Sequence, residues 1–345
     1  MPEKSKILEA IKLINSKFGN KETKEVPIPL EVSDIPIMST GIIGIDRASY
    51  CGGIPEGRIF EVYGEQSSGK TSIALLIAKK YAEQGKSVAF IDAEQAFNKS
   101  WAKKLGIAVD DPEKFVLVQS SVFEEIFGAI RTLIEVGGVK LIIVDSVAAI
   151  STQEDFENDE AVGKGMPLFA KNFRRQLRML TPIAAKHNCN LLFLNHMMQD
   201  MSAKSYIPVQ TSPGGTALKY LSSMRMQISK SVEKDDAGNK TAVRIKVQFP
   251  KNKIAAPYGT GSFVVDFNSG VDHIQELVDY SLELKVVNKK GPREYIYKDE
   301  KVADTAAKFY SWIESDPKIQ EELLQHIYSR ITLTEEQLNN VGYIK

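Results

Sequence analysis

The octapeptide Gly64-Glu65-Gln66-Ser67-Ser68-Gly69-Lys70-Thr71 constrains this chain more than any other segment. It fits the pattern GxxxxGK followed by Ser or Thr, directly after the apolar run IFEVY and directly before the helical run TSIALLIAKKYAEQG. A strand, a glycine-bearing turn and a helix N-terminus in that order aim backbone N–H groups and the positive end of a helix dipole at one point, which suits a phosphate. Lys70 then reaches the terminal phosphates, the Thr71 hydroxyl ligates Mg²⁺, and Ser72 follows in the same helical turn. A glycine-rich turn without a ligand would not need the strand and helix that flank this one.

Beyond Arg58 short apolar runs alternate with helical stretches: SVAFIDAE, a helix near residues 123–136, LIIVDS, a long helix around 168–186, and NLLFLNH. Continuous apolar runs between helices mark strands buried on both faces, hence a doubly wound α/β core with a mostly parallel sheet. The runs MRMQIS and AVRIKVQF, separated by the turn residues Asp236-Ala237-Gly238-Asn239, read as a hairpin, and SFVVDF as a further strand. Antiparallel strands should therefore extend the sheet. At the N-terminus Ile7, Leu8, Ile11, Ile14 and Phe18 recur at helical spacing, and the charged, Pro-bearing KETKEVPIPLEVSD follows as a linker. After Gly270 the pattern is helical again around a charged tongue, NKKGPREYIYK, which suits a small α+β domain. The expected divisions are an N-terminal helix and linker (1–36), the core (37–270), and a C-terminal domain with its tail (271–345).

Forty-four Lys and Arg balance forty-four Asp and Glu, so no net field draws the chain to nucleic acid and any such contact must come from local patches. Cys51 and Cys189 are too few for a disulfide framework, which makes a reducing cytoplasm the expected setting. The N-terminus lacks the apolar stretch of a secretory signal, and no run approaches the roughly 18 apolar residues of a membrane span.

A nucleotide site needs a second carboxylate for its metal at the end of a neighbouring buried strand, and LIIVDS supplies Asp145. Hydrolysis needs a group to orient and deprotonate water. Glu94, at the end of SVAFIDAE, is the expected base, with Asp92 as competitor two residues away. Asn195 and His196 end NLLFLNH at the same carboxyl edge, where a polar side chain can sense a γ-phosphate.

Taken together, these segments resemble the bacterial RecA recombinase family, including its phage-encoded members, from the N-terminal helix to about residue 330. The resemblance is carried by STGIIGIDRASYCGGIPEGR (39–58), GEQSSGKT, FIDAEQAF, LIIVDSVAA (141–149), PGGTALKY (213–220) and KNKIAAP (251–257). It implies a RecA-like P-loop ATPase core and an ATP-dependent filament on single-stranded DNA that pairs it with a homologous duplex and exchanges strands. ATP and Mg²⁺ are the implied cofactors. Single-stranded and duplex DNA, further copies of the chain and loading or mediator proteins are the implied partners.

By matched position Lys70, Thr71 and Asp145 look like the phosphate and Mg²⁺ groups, Glu94 like the catalytic base, and Trp101 like the aromatic residue against the adenine. Lys251 and Lys253 match lysines that reach the ATP of the next subunit, where they would act as cations on transferring phosphate charge. Two loops, about 153–166 and 197–212, match the family's DNA-facing loops. With their flanks they make Met166, Lys171, Arg178, Met198, Lys204, Gly214 and Gly215 the expected DNA contacts. Lys171 and Arg178 are seven apart, on one helix face with Arg174 and Arg175 nearby. Tyr220 matches an aromatic position at the subunit interface, and Lys285, Lys289, Lys290 and Arg293 form a basic cluster suited to gathering duplex DNA.

Three departures from the family pattern that the chain resembles favour a phage or otherwise divergent recombinase. His196 stands where most bacterial members have Gln, Met198 and Asp200 stand at or near basic positions, and TLTEEQLNNVGYIK replaces a long acidic tail, so autoinhibition by such a tail is not expected. A scaffold that uses ATP only to assemble, or a ring-forming helicase on the same core, is the rival reading.

Overall fold

The computed structural model describes residues 35–154, 165–199, 210–211, 214, 216–234, 240–266 and 270–331, together with residues 12, 13 and 16. Lys204, Gly215, the turn at 236–239 and the C-terminal tail lie outside the described residues, as do the side chains of Met166 and Met198. The chain falls into two compact units, Met1–Pro36 and Ile37–Lys345. In the first, residues 12, 13 and 16 are helical, and the Ser16 hydroxyl donates to the Leu13 carbonyl at 2.9 Å.

In the second unit a short antiparallel pair, β1 (Ile37–Met38) and β2 (Ile54–Pro55), flanks α1 (Ile43–Ala48). The apolar runs then become β3 (Ile59–Gly64), β4 (Ser87–Asp92), β5 (Phe115–Gln119), β6 (Val139–Asp145) and β7 (Asn190–His196). Because side chains alternate across a strand, a run with no polar interruption must bury both faces. The packing follows that rule. Val88, Phe90, Leu141, Ile143, Leu192 and Leu194 join one apolar cluster. Ala89, Ile91, Ile142, Val144, Leu191 and Phe193, their alternates, join another on the opposite face.

Helix α2 (Lys70–Glu83) covers the first face; α3 (Lys99–Lys104) follows it in sequence. The second face is covered by α4 (Phe123–Val136) and α5 (Gly165–His187). In α4 the residues Phe123, Ile126, Phe127, Ile130 and Ile134 form one stripe, Glu124 and Glu125 oppose the dipole in the first turn, and Gly137 stops the helix at φ 83°. Each of those five buried side chains contributes about 2 kcal/mol of transfer free energy before chain entropy.

After β7 come β8 (Met198–Gln199) and β9 (Gln210–Thr211), paired with each other, and the short α6 (Ala217–Leu221). The hairpin expected from MRMQIS and AVRIKVQF is β10 (Met224–Lys234) and β11 (Lys240–Asn252), joined by β12 (Thr260–Asp266) and β13 (Gly270–Val271). Among the described residues the main sheet has nine strands in the order β13-β12-β11-β10-β3-β7-β6-β4-β5. The six strands from β10 to β5 are parallel and the added edge is antiparallel, the mixed doubly wound sheet expected.

The rest is α7 (His273–Glu283), a sheet of β14 (Asn288–Lys289), β15 (Tyr295–Tyr297) and β16 (Glu300–Ala303), and helices α8 (Ala306–Ser315) and α9 (Pro317–Ile331). They pack on their own cluster around Phe309, Ile313, Leu323 and Ile327, which Ile43 of α1 enters. Buried polar contacts tie the same elements. Glu276 of α7 accepts the Gly44 N–H at 3.0 Å, and the Tyr328 hydroxyl donates at 2.6 Å to Asp46, which also accepts from Ser39 and Thr40.

Candidate nucleotide-binding site

Four adjacent strands deliver the site. In register, Gly64 of β3 lies beside His196 of β7, and Asp145 of β6 beside Asp92 of β4, all at the carboxyl edge. The loop after β3 turns into α2 at Gly69, whose φ of 96° is open to glycine at little cost. Gly69 offers no side-chain cap, so the first N–H groups of α2 face the cleft. The cleft, of about 670 Å³, is lined by the loop, Thr71 and Ser72, and on its far wall by Glu94, Asp145 and His196.

Lys70 folds back over the loop, and its Nζ donates to the carbonyls of Gly64 at 3.1 Å and Glu65 at 2.7 Å. Burial lowers its proton affinity, and the charges of Asp145 and Glu94 oppose that loss. The Thr71 hydroxyl donates to Asp145 Oδ2 at 2.6 Å. Burial pushes the Asp145 carboxyl up to about 6, against that hydrogen bond and with help from the nearby carboxylates of Glu94 and Asp92. Ser68, which lines the cleft, keeps its Oγ buried with no hydrogen-bond partner, close to Gly64 at the end of β3. A hydroxyl and a carboxylate joined at 2.6 Å, beside the phosphate-type loop, are the hard oxygen donors that suit Mg²⁺ held jointly with phosphates. Among the described residues no group of three or more His, Cys, Asp or Glu could hold a metal alone.

Of the two competing carboxylates, Asp92 is engaged inward: it accepts the N–H groups of Ala96 and Phe97 at 3.1 and 3.0 Å, and the Gln119 amide at 3.1 Å. Glu94 faces the cleft. Its Oε1 accepts the Ser146 hydroxyl at 2.5 Å and contacts His196 Nε2 at 3.1 Å. Burial raises its proton affinity, but Ser146, His196 and Lys70 together outweigh burial and hold the carboxyl below its ordinary range. Ser146 escaped the sequence reading, although it directly follows Asp145 in LIIVDS. Asn195, expected at the cleft edge, is instead fully buried and donates to Glu61 at 3.1 Å, beneath the ion pair of Glu61 with Arg225. Trp101 lies at the mouth of the site, its Nε1–H on Ser72 Oγ at 3.3 Å.

Lys251 and Lys253 are not among the residues of this cleft. Lys251 pairs with Arg225, which pairs with Glu61, three residues before Gly64. At about 3.4 Å per residue that is roughly 10 Å back from the ligand edge. Both lysines cap α6: Lys251 Nζ donates to the carbonyls of Lys219 at 2.6 Å and Tyr220 at 2.9 Å, and Lys253 Nζ to that of Tyr220 at 3.3 Å. Burial, then the charges of Lys253 and Arg225, lower Lys251 to about 8. The Tyr220 ring is 63% exposed. On α5 Lys171, Arg174, Arg175 and Arg178 line one groove with Gly214 and Thr216, of about 970 Å³. Gly214, at φ 79°, has room for no Cβ without displacing Phe173 and Val147, both within 3.2 Å. Lys285, Lys289, Lys290 and Arg293 are exposed around the β14–β15 turn.

The profile of the RecA N-terminal domain matches residues 5–272. The chain is similar to Protein RecA of Campylobacter hominis, 34% identical over 325 residues, covering 94% of this chain and 92% of that one. It is likewise 36% identical over 300 residues to Protein RecA of Chloroherpeton thalassium, covering 87% and 81%. The crystal structure of the RadB recombinase shares the fold at a TM-score of 0.50 and 23% identity, covering 68% of this chain and 98% of that one. No helix among the described residues is long and apolar enough to cross a membrane.

Proposed function

The chain belongs to the RecA family, and on that premise we propose that it is an ATP-dependent DNA recombinase, which assembles on single-stranded DNA and pairs it with homologous duplex. The observation that carries this reading is a cleft whose parts divide between two places. Phosphate loop, Asp145, Glu94 and His196 converge, while Lys251 and Lys253 stand apart on the capped α6. The two lysines that stand outside this cleft would serve the nucleotide of a neighbouring copy, so turnover follows assembly.

In this reading Lys70, the loop N–H groups and Ser68 hold the phosphates of ATP, and Trp101 offers its flat face to the adenine. Thr71 and Asp145 would hold Mg²⁺, which when bound would supply charge neutralisation for the phosphates. Glu94 takes the proton of the attacking water while Ser146 and His196 fix its orientation, and His196 reports the γ-phosphate to the loop after β7. Lys171, Arg178 and the groove beside Gly214 contact the DNA backbone without reading bases, because base pairing itself tests homology. Met166, Met198, Lys204 and Gly215 belong to the same proposed DNA surface, Tyr220 to the subunit interface, and the cluster around Lys289 to duplex capture.

The test is ATP hydrolysis with and without single-stranded DNA, for wild type and Lys253→Ala, with negative-stain images of the same mixtures. Helical filaments and DNA-stimulated turnover lost in Lys253→Ala are expected. Filaments without turnover would establish the scaffold instead, and closed rings with turnover the helicase.

A further inference from the structure

Lys230 stands on β10 two residues beyond Ile228, which pairs with Gly64 at the end of β3. The strands are so close there that a Cβ on Gly64 would lie 2.5 Å from the Ile228 carbonyl. Lys230 therefore projects over the loop that leaves β3, and its Nζ donates to the Ser67 carbonyl. Ser67, at φ 56°, lines the nucleotide cleft. No carboxylate among the described residues pairs with Lys230, whose cross-strand neighbour is Ile245. An ammonium carries three donors, so one bond to Ser67 leaves two directions for another acceptor.

The charge of Lys230 is felt at Lys70, where it adds to the loss of proton affinity. Two cations and an uncapped helix N-terminus thus flank one short loop. Like charges gathered this way repel one another, and an anion bound between them would relieve that repulsion.

We propose that Lys230 is a positioning residue for the nucleotide: it pins the Ser67 carbonyl of the phosphate loop and adds a second cation from the same chain to the field on a bound triphosphate. This rests on the reading of the cleft as an ATP site. Its role differs from that of Lys251 and Lys253, because it acts within one chain and before assembly.

The experiment measures binding of a fluorescent ATP analogue with Mg²⁺, without DNA, to wild type, Lys230→Ala and Lys230→Arg, followed by steady-state hydrolysis with saturating DNA. Lys230→Ala should bind about five- to tenfold more weakly at low salt and raise KM in proportion, with kcat within about twofold. The deficit should shrink as salt rises, and Lys230→Arg should recover most of it. Wild type that fails to bind the analogue would overturn the ATP reading itself. Wild type that binds, beside a Lys230→Ala that binds equally and loses only DNA affinity, would overturn this inference alone. So would a kcat loss at unchanged KM.

Discussion

Replacing Glu94 by Gln changes one property of the cleft and leaves its shape. Both contacts to the side chain reach Oε1, the Ser146 hydroxyl at 2.5 Å and His196 at 3.1 Å, and a Gln carbonyl oxygen can occupy that place. The amide nitrogen then replaces Oε2, so a donor meets the attacking water where an acceptor is required. Glu94 is partly exposed, and the stability change should stay within about 0.5 kcal/mol. Loss of a general base typically lowers the rate by about 10² to 10⁴, or about 3 to 5.5 kcal/mol of barrier at 1.36 kcal/mol per decade. Single-turnover hydrolysis at saturating ATP, Mg²⁺ and single-stranded DNA measures it, alongside nucleotide affinity. Affinity should stay within about twofold. Because the hydrogen bonds hold the Glu94 carboxyl below its ordinary value of 4.5, the wild-type rate should keep its base ionised through neutrality, with an acid limb below that value. Turnover within tenfold of wild type, or loss of binding together with turnover, would refute the assignment.

Other substitutions probe the scaffold and the DNA face. Gly64→Ala places a Cβ 2.5 Å from the Ile228 carbonyl, a backbone atom that cannot swing away, so β3 and β10 must part. The melting temperature and ATP affinity should fall together. Asp46 is fully buried, and burial raises it from 3.8 to about 6 despite donors from Ser39, Thr40 and Tyr328. Folding therefore favours its protonated form: that contribution is complete below pH 3.8 and is lost as pH rises through about 6. In urea titrations across that window wild type should lose up to about 3 kcal/mol relative to Asp46→Asn, and a pH-independent gap would sink the argument. Lys171→Ala and Arg178→Ala should each weaken single-stranded DNA binding uniformly across sequences and reduce the magnitude of the log–log salt slope by about 0.7 to 1, measured by anisotropy at several salt concentrations.

The local chemistry of this protein was open to reading from the chain alone. The loop GEQSSGKT, the strand-ending carboxylates and the unbroken apolar runs depend on spacing over a few residues, and spacing fixes which side chains share a face and which groups end a strand. The boundaries of α4 and the mixed character of the sheet followed from the same periodicities. Which strand ends become neighbours is another matter, because strand order depends on how crossover helices pack over long separations. Only the order β3-β7-β6-β4 brings His196, from one strand, and Ser146, from another, onto the same oxygen of Glu94. The tertiary structure likewise turned Asp92 and Asn195 inward, held Lys251 and Lys253 on α6, and laid Lys230 across the phosphate loop from a strand more than 150 residues away in sequence. None of these leaves a pattern in the sequence, since each contact is made by residues whose own neighbours along the chain say nothing about the partner.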